Sequence, residues 1–506
     1  MKNSVIAYFE NTVSLFPEKI AVKDNEGCIT FSELKVAGKV IASVLCRSNI
    51  FKKPVGVYIP KGCKAIEAFC GISYSGNFYV PLDTKSPATR IESILTVLEA
   101  KVIITDTVHV EALRKFYQGE VIVLEDVIAA NNIDEELISQ TINHVVDTDA
   151  VYSIFTSGST GIPKGVVVSH RGVLDYIDWA VDTFKFDSSL IIGNQAPFYF
   201  DNSTLDIYLM YATGSTLVVI PEGLFSFPAK LIGFLNEEKI NFVFWVPFVL
   251  MSVANMNILA SIKPEYLHDV FFAGEVMPNK HLNYWRKILP ECRYVNLYGP
   301  TEITVDCTYY VVERKFSDSE SLPIGFPCKN SDVLIIKDDG TLAKTNEQGE
   351  LCVRGTSLAL GYYNDPEKTA KAFIQNPFNK HYPEIIYCTG DLVYTNEFDE
   401  IMYVGRKDSQ IKHNGYRIEL GEIENAVLGT KLIKNVCVVY NFVGKEICMF
   451  YENETEVGPG ELRKRLINKI PRYMIPAHFI RVDVLKQNTN GKIDRLFYKN
   501  QVNECK

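Results

Sequence analysis

The sequence predicts an α/β protein with a large multi-sheet N-terminal domain and a small α+β C-terminal domain. The chain has 506 residues, well above the ~100–200 residues typical of one domain, so we expect at least two folding units. Through the first two thirds, short apolar runs rich in β-branched residues alternate with helical patterns, which is typical of parallel sheets. After about Asp332 the pattern changes to short strands joined by turns.

Apolar runs bounded by turn residues predict the strands of the larger domain. In chain order these runs are PVGVYIP, KVIITD, EVIVLED, AVYSIFTSG, STLVVIPE, NFVFWVP, DVFFAGE and RYVNLYG. Three later segments are predicted as shorter strands, namely SDVLIIKDDGTL, GELCVRG and DEIMYVGR. The Asp-Asp-Gly in the first of these indicates a hairpin turn.

A further unit is predicted after Asp408. ELGEIENAVLG has apolar Leu420, Ile423 and Val427 at helical spacing, and GELRKRLINKI predicts a second helix. Between them, NVCVVYN and KEICMFYE predict two strands. No long flexible linker precedes this unit, so we place the domains at 1–407 and 408–506, with a tight hinge at Asp408.

Charge and composition argue against several classes of protein. The formal net charge is -9 and the pI is about 5.6, whereas nucleic-acid binding needs a basic surface. The first twenty residues lack the long apolar segment of a secretory signal, and no run of ~18 apolar residues predicts a membrane span. We therefore expect a cytoplasmic protein with no nucleic-acid or membrane partner.

The twelve cysteines are spread along the chain and form no CxxC pair. Zinc sites usually show clustered Cys and His ligands. The spacing therefore predicts free thiols and no zinc site.

The most specific local motif is TSGSTGIPKG, which runs from Thr156 to Gly165. Glycines let backbone N–H groups approach an anion, while hydroxyls and Lys164 add donors and positive charge. The motif differs from a Walker A loop, because Gly161 lies between Gly158 and Lys164 and no Ser or Thr follows the lysine. Strand-like runs on both sides favour a phosphate-binding loop over a solvated linker.

Four further motifs carry candidate functional residues. NLYGPTE presents an aromatic ring, an amide and a carboxylate that could hold a purine and a metal ion, although a simple strand-end turn explains it equally well. YCTGDLVY places Asp391 on a turn, and NTNGKIDR does the same for Lys492. Taken singly, an ordinary turn residue and a solvated lysine explain these two positions. The remaining motif is YVGRKDSQIKHNGYRIELGEIE.

Together, the five motifs in this order resemble the adenylate-forming (AMP-forming) superfamily. The resemblance is strongest to the stand-alone amino-acid adenylation domains of the nonribosomal peptide synthetase and D-alanine–carrier protein ligase type. It extends from ITFSEL at Ile29 to Arg495 and includes SGNFYVPLD and GELCVRGTSLALGYY. It implies an AMP-forming ligase that uses ATP and Mg²⁺, with a small C-terminal lid domain.

The resemblance also implies a role for each matching position. The phosphate loop would be formed by Thr156, Ser157, Gly158, Ser159, Thr160, Gly161 and Lys164. The rest of the nucleotide would contact Asn296, Tyr298, Thr301, Asp391, Tyr403 and Arg406. Glu302 would bind magnesium and Lys492 would reach the carboxylate and the α-phosphate. The lid would pivot at Asp408 between two half-reactions, and the loop at Gly415 would then line a tunnel for the thiol.

Asp201 in FYFDNSTLD matches the aspartate that binds the substrate ammonium in amino-acid-activating members of the family. A buried ammonium needs a paired anion, because its desolvation is otherwise too costly. The alternative is an ordinary N-cap for the following helix.

Counting outward from Pro247, Gly274 and Tyr298 gives the other predicted pocket positions. They are Asn202, Leu205, Phe244, Phe271, Ala273, Leu297, Val305 and Asp306. The large apolar residues leave room for a small substrate such as alanine, D-alanine, glycine, serine or cysteine. Asp306 would accept a serine hydroxyl or pair with a short cationic side chain; the alternative is a surface-facing or helix-terminal position.

The resemblance implies transfer of the activated amino acid to the phosphopantetheine of a separate carrier protein. No carrier-like segment follows Lys492, so we expect this partner in trans. An acyl- or aryl-CoA ligase of the same superfamily is the alternative, and Asp201 counts against it. A non-catalytic homologue would have lost Lys492, Glu302 or the glycine loop, and all are present.

Overall fold

The computed structural model describes residues 3–48, 50–158, 162–408, 410–453, 457–487 and 493–504. Its helices are α1 (Val5–Leu15), α2 (Phe31–Arg47), α3 (Cys63–Tyr74), α4 (Ala88–Leu98), α5 (Val110–Leu113), α6 (Leu124–Ala130), α7 (Glu135–Ile142), α8 (His170–Phe184), α9 (Asn202–Thr213), α10 (Pro228–Glu237), α11 (Pro247–Asn255), α12 (Asn279–Ile288), α13 (Pro366–Ala372), α14 (Leu420–Leu428), α15 (Pro459–Leu466) and α16 (Arg495–Glu504). Short 3₁₀ helices lie at Glu222–Ser226, Ile258–Ala260, Thr301–Ile303 and Arg472–Met474.

The strands are β1 (Ile20–Lys23), β2 (Cys28–Thr30), β3 (Pro54–Tyr58), β4 (Phe78–Pro81), β5 (Val102–Thr105), β6 (Glu120–Val123), β7 (Ala150–Thr156), β8 (Lys164–Ser169), β9 (Ile191–Asn194), β10 (Thr216–Val219), β11 (Phe242–Trp245), β12 (Asp269–Phe272), β13 (Arg293–Tyr298), β14 (Thr308–Val311), β15 (Phe326–Pro327), β16 (Ser331–Ile336), β17 (Gly349–Gly355), β18 (Gly361–Tyr362), β19 (Phe373–Gln375), β20 (Ile385–Thr395), β21 (Ile401–Arg406), β22 (Gln410–His413), β23 (Tyr416–Glu419), β24 (Asn435–Asn441), β25 (Glu446–Glu452) and β26 (His478–Val482). Every strand and helix predicted above is confirmed.

The chain divides into two compact units. The larger contains Met1–Thr84, Ala100–Ile154 and Val166–Gly405. The smaller contains the C-terminal Arg406–Lys506 together with two earlier segments, Lys85–Glu99 and Phe155–Gly165. The sequence pattern did not indicate these two segments.

Three sheets build the larger unit. One has nine strands in the order β15-β14-β13-β12-β11-β9-β10-β1-β2, and another has seven in the order β18-β8-β7-β4-β3-β5-β6. In the nine-stranded sheet, the neighbours in the run β13-β12-β11-β9-β10-β1 pair in parallel. The third sheet is antiparallel, in the order β16-β17-β20-β19, and β21 also pairs with β20. The multi-sheet α/β prediction is therefore confirmed.

The nine-stranded sheet separates two apolar clusters, because successive side chains of a strand point to opposite faces. Phe242 and Phe244 of β11 pack in one cluster, whereas Val243 and Trp245 pack in the other. β12 alternates in the same way. The predicted pocket positions on these strands consequently share one face.

The C-terminal part of the smaller unit is α+β, as predicted. The strands β24, β25 and β26 form a three-stranded sheet, and β22 pairs with β23. Helices α14 and α15 contribute Ile423, Val427 and Leu462 to its core. Within this unit, α4 contributes Arg90, which donates a hydrogen bond to Glu422.

Among the helices of the described residues, none combines the length and the apolar composition needed to span a membrane.

Candidate active site

The NLYGPTE motif lies at the carboxyl end of β13, in the larger unit. Asn296 and Tyr298 are both buried, and the Asn296 amide donates to the carbonyl of Pro323 at 2.7 Å. The Tyr298 hydroxyl donates to Asp391 Oδ2 at 2.5 Å. Burial, and then the charge of Asp391, raise the pKa of Tyr298, so its phenol stays protonated and remains a donor. The structure therefore brings two of the predicted nucleotide-binding residues into direct contact.

Asp391 is carried on an irregular segment of β20. Cys352 of β17 pairs with Cys388, and Glu350 pairs with Leu392, so one β17 residue faces three residues of β20. Two backbone N–H groups of this bulge donate hydrogen bonds to side chains. Glu350 Oε1 accepts the Gly390 amide at 2.9 Å, and Thr389 Oγ1 accepts the Asp391 amide at 3.0 Å. Bulges commonly redirect a side chain beside an active site, and this one directs Asp391 to Tyr298.

Tyr403 of β21 completes this group. Its ring centroid lies 6.3 Å from that of Tyr298, with the ring planes inclined at 45°. Tyr298 is buried and Tyr403 is half-buried, so Tyr403 offers the more accessible ring for a stacked purine.

Glu302 lies in the short 3₁₀ helix after Gly299-Pro300, together with the buried Thr301. Its side chain is fully buried, and Oε1 accepts the Tyr362 hydroxyl at 2.9 Å. A Cβ on Gly299 would lie 2.2 Å from the carbonyl oxygen of Val305, which explains the glycine. Carboxylate oxygen is the ligand Mg²⁺ prefers, and a nearby cation lowers the cost of burying this charge. The donor chemistry thus fits magnesium.

The predicted phosphate loop connects β7 to β8, and its described residues 155–158 and 162–165 belong to the smaller unit. Thr156 Oγ1 is buried and has no hydrogen-bond partner among the residues that the structure describes. A Cβ on Gly158 would lie 2.0 Å from the carbonyl oxygen of Ile162, so this turn requires glycine. A buried hydroxyl beside so tight a turn fits the oxygens of a phosphate group.

The structure also describes two further residues of this loop, Ser157 and Lys164. Ser157 donates to the carbonyl of Arg417 at 2.9 Å, within the same unit, and Lys164 is the first residue of β8. The predicted positions Ser159, Thr160, Gly161 and Lys492 lie outside the described residues.

At the predicted hinge, Arg406 and Asp408 form an ion pair. Arg406 Nε donates to Asp408 Oδ1 at 2.9 Å and Nη2 donates to Oδ2 at 2.5 Å. The Gln410 amide also donates to Oδ1, at 3.0 Å. Burial acts to raise the pKa of Asp408, but Arg406 and the Gln410 amide outweigh it and lower the pKa.

Asp201 is half-buried at the N-cap position of α9, yet its side chain makes no capping hydrogen bond. The alternative prediction of an ordinary N-cap is therefore wrong for its carboxylate. Asn202 follows as the first residue of the helix and is also half-buried.

The predicted apolar pocket residues belong to one buried cluster: Leu205, Phe244, Phe271, Ala273, Leu297 and Val305. Phe244 pairs with Phe271 across adjacent strands. The Phe271 ring makes edge-on contacts with Phe184 and Phe242, at centroid distances of 4.6 and 5.1 Å. The structure thus places these positions in the core of the larger unit, and their role as a substrate pocket stays a prediction.

Asp306 is buried, with 2% of its surface exposed, and Oδ2 accepts the Tyr176 hydroxyl at 2.7 Å. The alternative of a surface-facing or helix-terminal Asp306 is therefore wrong. The preceding Thr304 and Val305 have φ values of 54° and 74°, which reverse the chain and turn Asp306 inward. Burial raises the pKa of Tyr176 most, followed by the nearby carboxylates of Asp306 and, more weakly, Asp201. Both predicted carboxylates, Asp306 and Asp201, thus contribute to the electrostatic environment of the Tyr176 phenol.

Sequence reasoning missed the partner of each buried carboxylate: Tyr176 for Asp306, Tyr362 for Glu302, and Thr389 with Glu350 around Asp391. Tyr362 is the penultimate residue of the GELCVRGTSLALGYY segment, which was a usable signal. Tyr176 lies in an amphipathic helix, where an aromatic residue indicates only packing.

Comparison with known proteins places the chain in a family. The model of the AMP-binding enzyme family matches residues 9–363. The L-proline–[L-prolyl-carrier protein] ligase of Pseudomonas fluorescens is 30% identical over 97% of this chain and 98% of its own length. Tyrocidine synthase 1 of Brevibacillus parabrevis is 30% identical over 97% of this chain. The chain spans only 44% of the length of that synthase.

Among solved structures, the Vibrio cholerae adenylation domain AlmE, in complex with glycyl-adenosine-5′-phosphate, superposes with a TM-score of 0.85. The match is 22% identical and covers 99% of this chain and 98% of that one. At this identity the match establishes the fold. The family match over most of the chain and the full-length similarity to a carrier-protein ligase show that the chain belongs to the AMP-binding enzyme family.

Proposed function

We propose that this enzyme activates an amino acid with ATP to form aminoacyl-AMP and transfers the aminoacyl group to the phosphopantetheine thiol of a separate carrier protein. The observation that supports the proposal most is the position of the Asp201 carboxylate at the start of α9. Its half-buried carboxylate starts α9 without capping it, and the other pocket positions predicted from the sequence are largely apolar. A carboxylate held there is suited to the α-ammonium of an amino acid.

In the first step, a carboxylate oxygen of the amino acid attacks the α-phosphorus of ATP, and pyrophosphate leaves as the bridging P–O bond breaks. Asp201 orients the amino acid through its ammonium. Tyr298 and Asp391 hold the nucleoside end, with Asp391 accepting from the ribose hydroxyls. Asn296 and Tyr403 contact the adenine, and Arg406 lies beside the nucleotide.

The phosphate end of ATP carries the negative charge that the reaction redistributes. The loop around Thr156, Gly158 and Lys164 donates hydrogen bonds to the β- and γ-phosphates. Lys492 stabilises the charge that develops on the α-phosphate. Magnesium bound at Glu302 would supply further electrostatic stabilisation of the phosphate oxygens.

In the second step, the carrier thiol loses its proton and attacks the acyl carbon, and AMP leaves as the C–O bond breaks. The lid, which is the C-terminal segment 408–506 without the two earlier segments of the smaller unit, moves about Asp408 between the two steps, carrying Lys492 away and admitting the thiol. The carrier-protein ligase of Pseudomonas fluorescens, similar over its whole length, supports a carrier protein as the acceptor.

We further infer that the substrate has a small side chain, such as that of alanine, D-alanine, glycine, serine or cysteine. The predicted pocket positions Phe244 and Phe271 are large and buried, as are Leu205 and Leu297. Asp306 already accepts the Tyr176 hydroxyl, so its carboxylate has a hydrogen-bond donor within the fold without a polar substrate side chain. The Pseudomonas fluorescens ligase is named for L-proline, and the AlmE structure contains glycyl-adenosine-5′-phosphate. Proline and glycine are both compact amino acids.

ATP–pyrophosphate exchange with every proteinogenic amino acid, both D and L, and with propionate tests the proposal. We expect exchange with one or a few small amino acids and none with propionate. Asp201→Ala leaves a substrate ammonium unpaired, at a cost of about 3–5 kcal/mol. This corresponds to roughly two to four decades in kcat/KM.

Asp134→Ala is the matched control, since Asp134 also occupies an N-cap position and does cap its helix, α7. This variant should lose some stability and keep full exchange activity. Exchange with propionate equal to that with alanine would overturn the amino-acid proposal and favour an acyl-CoA ligase.

A further inference from the structure

Two cysteines and a glutamate meet on one face of the antiparallel sheet in the larger unit. Glu350 and Cys352 are two residues apart on β17, so their side chains point to the same side. Cys388 lies directly opposite Cys352 on β20. The two sulfur atoms are 3.5 Å apart, and a carboxylate oxygen of Glu350 and both sulfurs lie within 4.8 Å of one another.

We propose that Glu350, Cys352 and Cys388 form a binding site for a thiophilic divalent cation, with Zn²⁺ as the preferred ion. Two thiolates bound tetrahedrally at the usual Zn–S distance lie about 3.8 Å apart, close to the spacing already present. Sulfur ligands select zinc over magnesium and calcium, which prefer oxygen. Three protein ligands leave the fourth position for water.

The site is also accessible. Cys352 is buried, with 1% of its surface exposed, whereas Cys388 and Glu350 are partly exposed. An ion can therefore enter from the side of these two residues, while the buried Cys352 supplies a ligand shielded from competing solvent. Each thiol must lose a proton on binding, so affinity for the metal rises with pH.

Occupation of this site acts on the strand segment that carries Asp391. Glu350 Oε1 accepts the Gly390 amide at 2.9 Å. Gly390 has a φ of 74° and forms the centre of the bulge. A cation that draws electron density from Glu350, or rotates it, weakens this hydrogen bond and loosens the bulge. We therefore expect bound zinc to raise KM for ATP, a consequence that rests on the proposed role of Asp391 in nucleotide binding.

The metal site is tested on reduced full-length protein, independently of activity. Zn²⁺ is titrated in competition with a chelator, and Co²⁺ is added separately to detect thiolate-to-cobalt charge-transfer absorption. We expect one tight site per chain. Cys388→Ser and Glu350→Gln should each weaken Zn²⁺ binding by about 100-fold, because even an outer-shell change costs 10–100-fold.

Cys28→Ser is the control, because Cys28 is an exposed free thiol on β2. It should bind zinc like the wild type. Wild-type protein without charge-transfer absorption, or zinc binding that survives in both Cys388→Ser and Glu350→Gln, overturns the proposal. Thermal melting of each variant separates loss of the site from loss of the fold.

The link to the nucleotide is measured as KM for ATP with zinc present and magnesium in large excess. We expect an increase in the wild type and none in Cys388→Ser. Zinc that displaces magnesium elsewhere would inhibit both proteins equally, and this result would overturn the link to Asp391. A chain without exchange activity would defeat the proposed function and leave the zinc titration unaffected.

Discussion

Tyr298 and Asp391 lie 93 positions apart in the sequence and share a hydrogen bond of 2.5 Å, in which the phenol donates to Oδ2. Tyr298 ends a strand of the nine-stranded sheet, and Asp391 lies in the bulge of the antiparallel sheet. The Tyr298 ring also packs in an apolar cluster with Leu351 and Tyr387 of the antiparallel sheet. This hydrogen bond helps to orient a carboxylate at the proposed nucleoside end of the site.

Tyr298→Phe should therefore raise KM for ATP with little change in kcat. A hydrogen bond to a charged group contributes about 1.5–3 kcal/mol, or roughly ten- to a hundredfold in KM. The measurement is pyrophosphate exchange at saturating amino acid. Tyr294→Phe is the control on the same strand, since Tyr294 donates to the Leu289 carbonyl. An equal increase in KM in both variants would show that the effect is structural.

Much of the fold was predictable, because buried parallel strands form uninterrupted apolar runs. DVFFAGE and RYVNLYG are examples, and both form strands of the nine-stranded sheet. The contacts of Asp306 were not predictable. Its inward direction depends on positive φ values at Thr304 and Val305, which residues other than glycine seldom adopt.

The Glu350–Cys352–Cys388 cluster was missed for a different reason. Its ligands meet through the register of β17 and β20 rather than through spacing along the chain. A search for clustered Cys and His could not detect it. The same limit applies to the grouping of Phe155–Gly165 with the C-terminal residues, since that grouping depends on tertiary contacts alone.

Stability should fall in mild acid because of His170. This histidine is buried at the start of α8, and its Nδ1 accepts the Val5 amide. Burial lowers the pKa of His170 to about 4, against about 6.5 when unfolded. Between these values only the unfolded chain binds the proton, so the free energy of unfolding decreases as pH falls from about 6.5 to 4. The loss is about 3 kcal/mol at full extent.

Denaturant unfolding at pH 7 and pH 5 measures this effect. His170→Asn should flatten the pH dependence, because the asparagine cannot take up the proton. His381→Asn, in an exposed turn, should leave the pH dependence as in the wild type. An unchanged slope in His170→Asn would show that other groups cause the acid sensitivity.

Substrate size should respond to Phe271 and not to its neighbour Phe272. Both are buried on β12, but Phe271 packs on the pocket face and Phe272 on the opposite face. Replacing either by Leu should cost on the order of 1 kcal/mol of stability. Only Phe271→Leu enlarges the proposed pocket, and it should shift kcat/KM toward larger amino acids by about tenfold.

Ratios of kcat/KM for leucine and alanine in the two variants provide the comparison. Similar ratios in Phe271→Leu, Phe272→Leu and the wild type would contradict the pocket assignment. So would a wild-type enzyme that prefers phenylalanine or leucine.

Lys492 and Asp408 should separate the two half-reactions. Lys492→Ala removes one charge-stabilising group and should lower pyrophosphate exchange by about 10²–10³. It should spare aminoacyl transfer from pre-formed adenylate, because the lid carries Lys492 away before that step. Asp408→Pro should leave exchange largely intact and slow loading of the carrier, since proline fixes φ near −65° and stiffens the pivot.

Asp408 also pairs with Arg406, so proline at this position removes an ion pair as well as backbone freedom. Asp408→Ala is therefore the matched control: it removes the same carboxylate but leaves φ free. The Asp408 side chain is 48% exposed, and an exposed ion pair contributes little stability. Asp408→Ala should therefore load the carrier nearly as fast as the wild type.

Single-turnover loading of a phosphopantetheinylated carrier, measured beside pyrophosphate exchange, distinguishes the cases. If Asp408→Ala slows loading as much as Asp408→Pro, the ion pair rather than the pivot controls the second step; if Lys492→Ala impairs both steps equally, this chain does not use a lid that exchanges between two states.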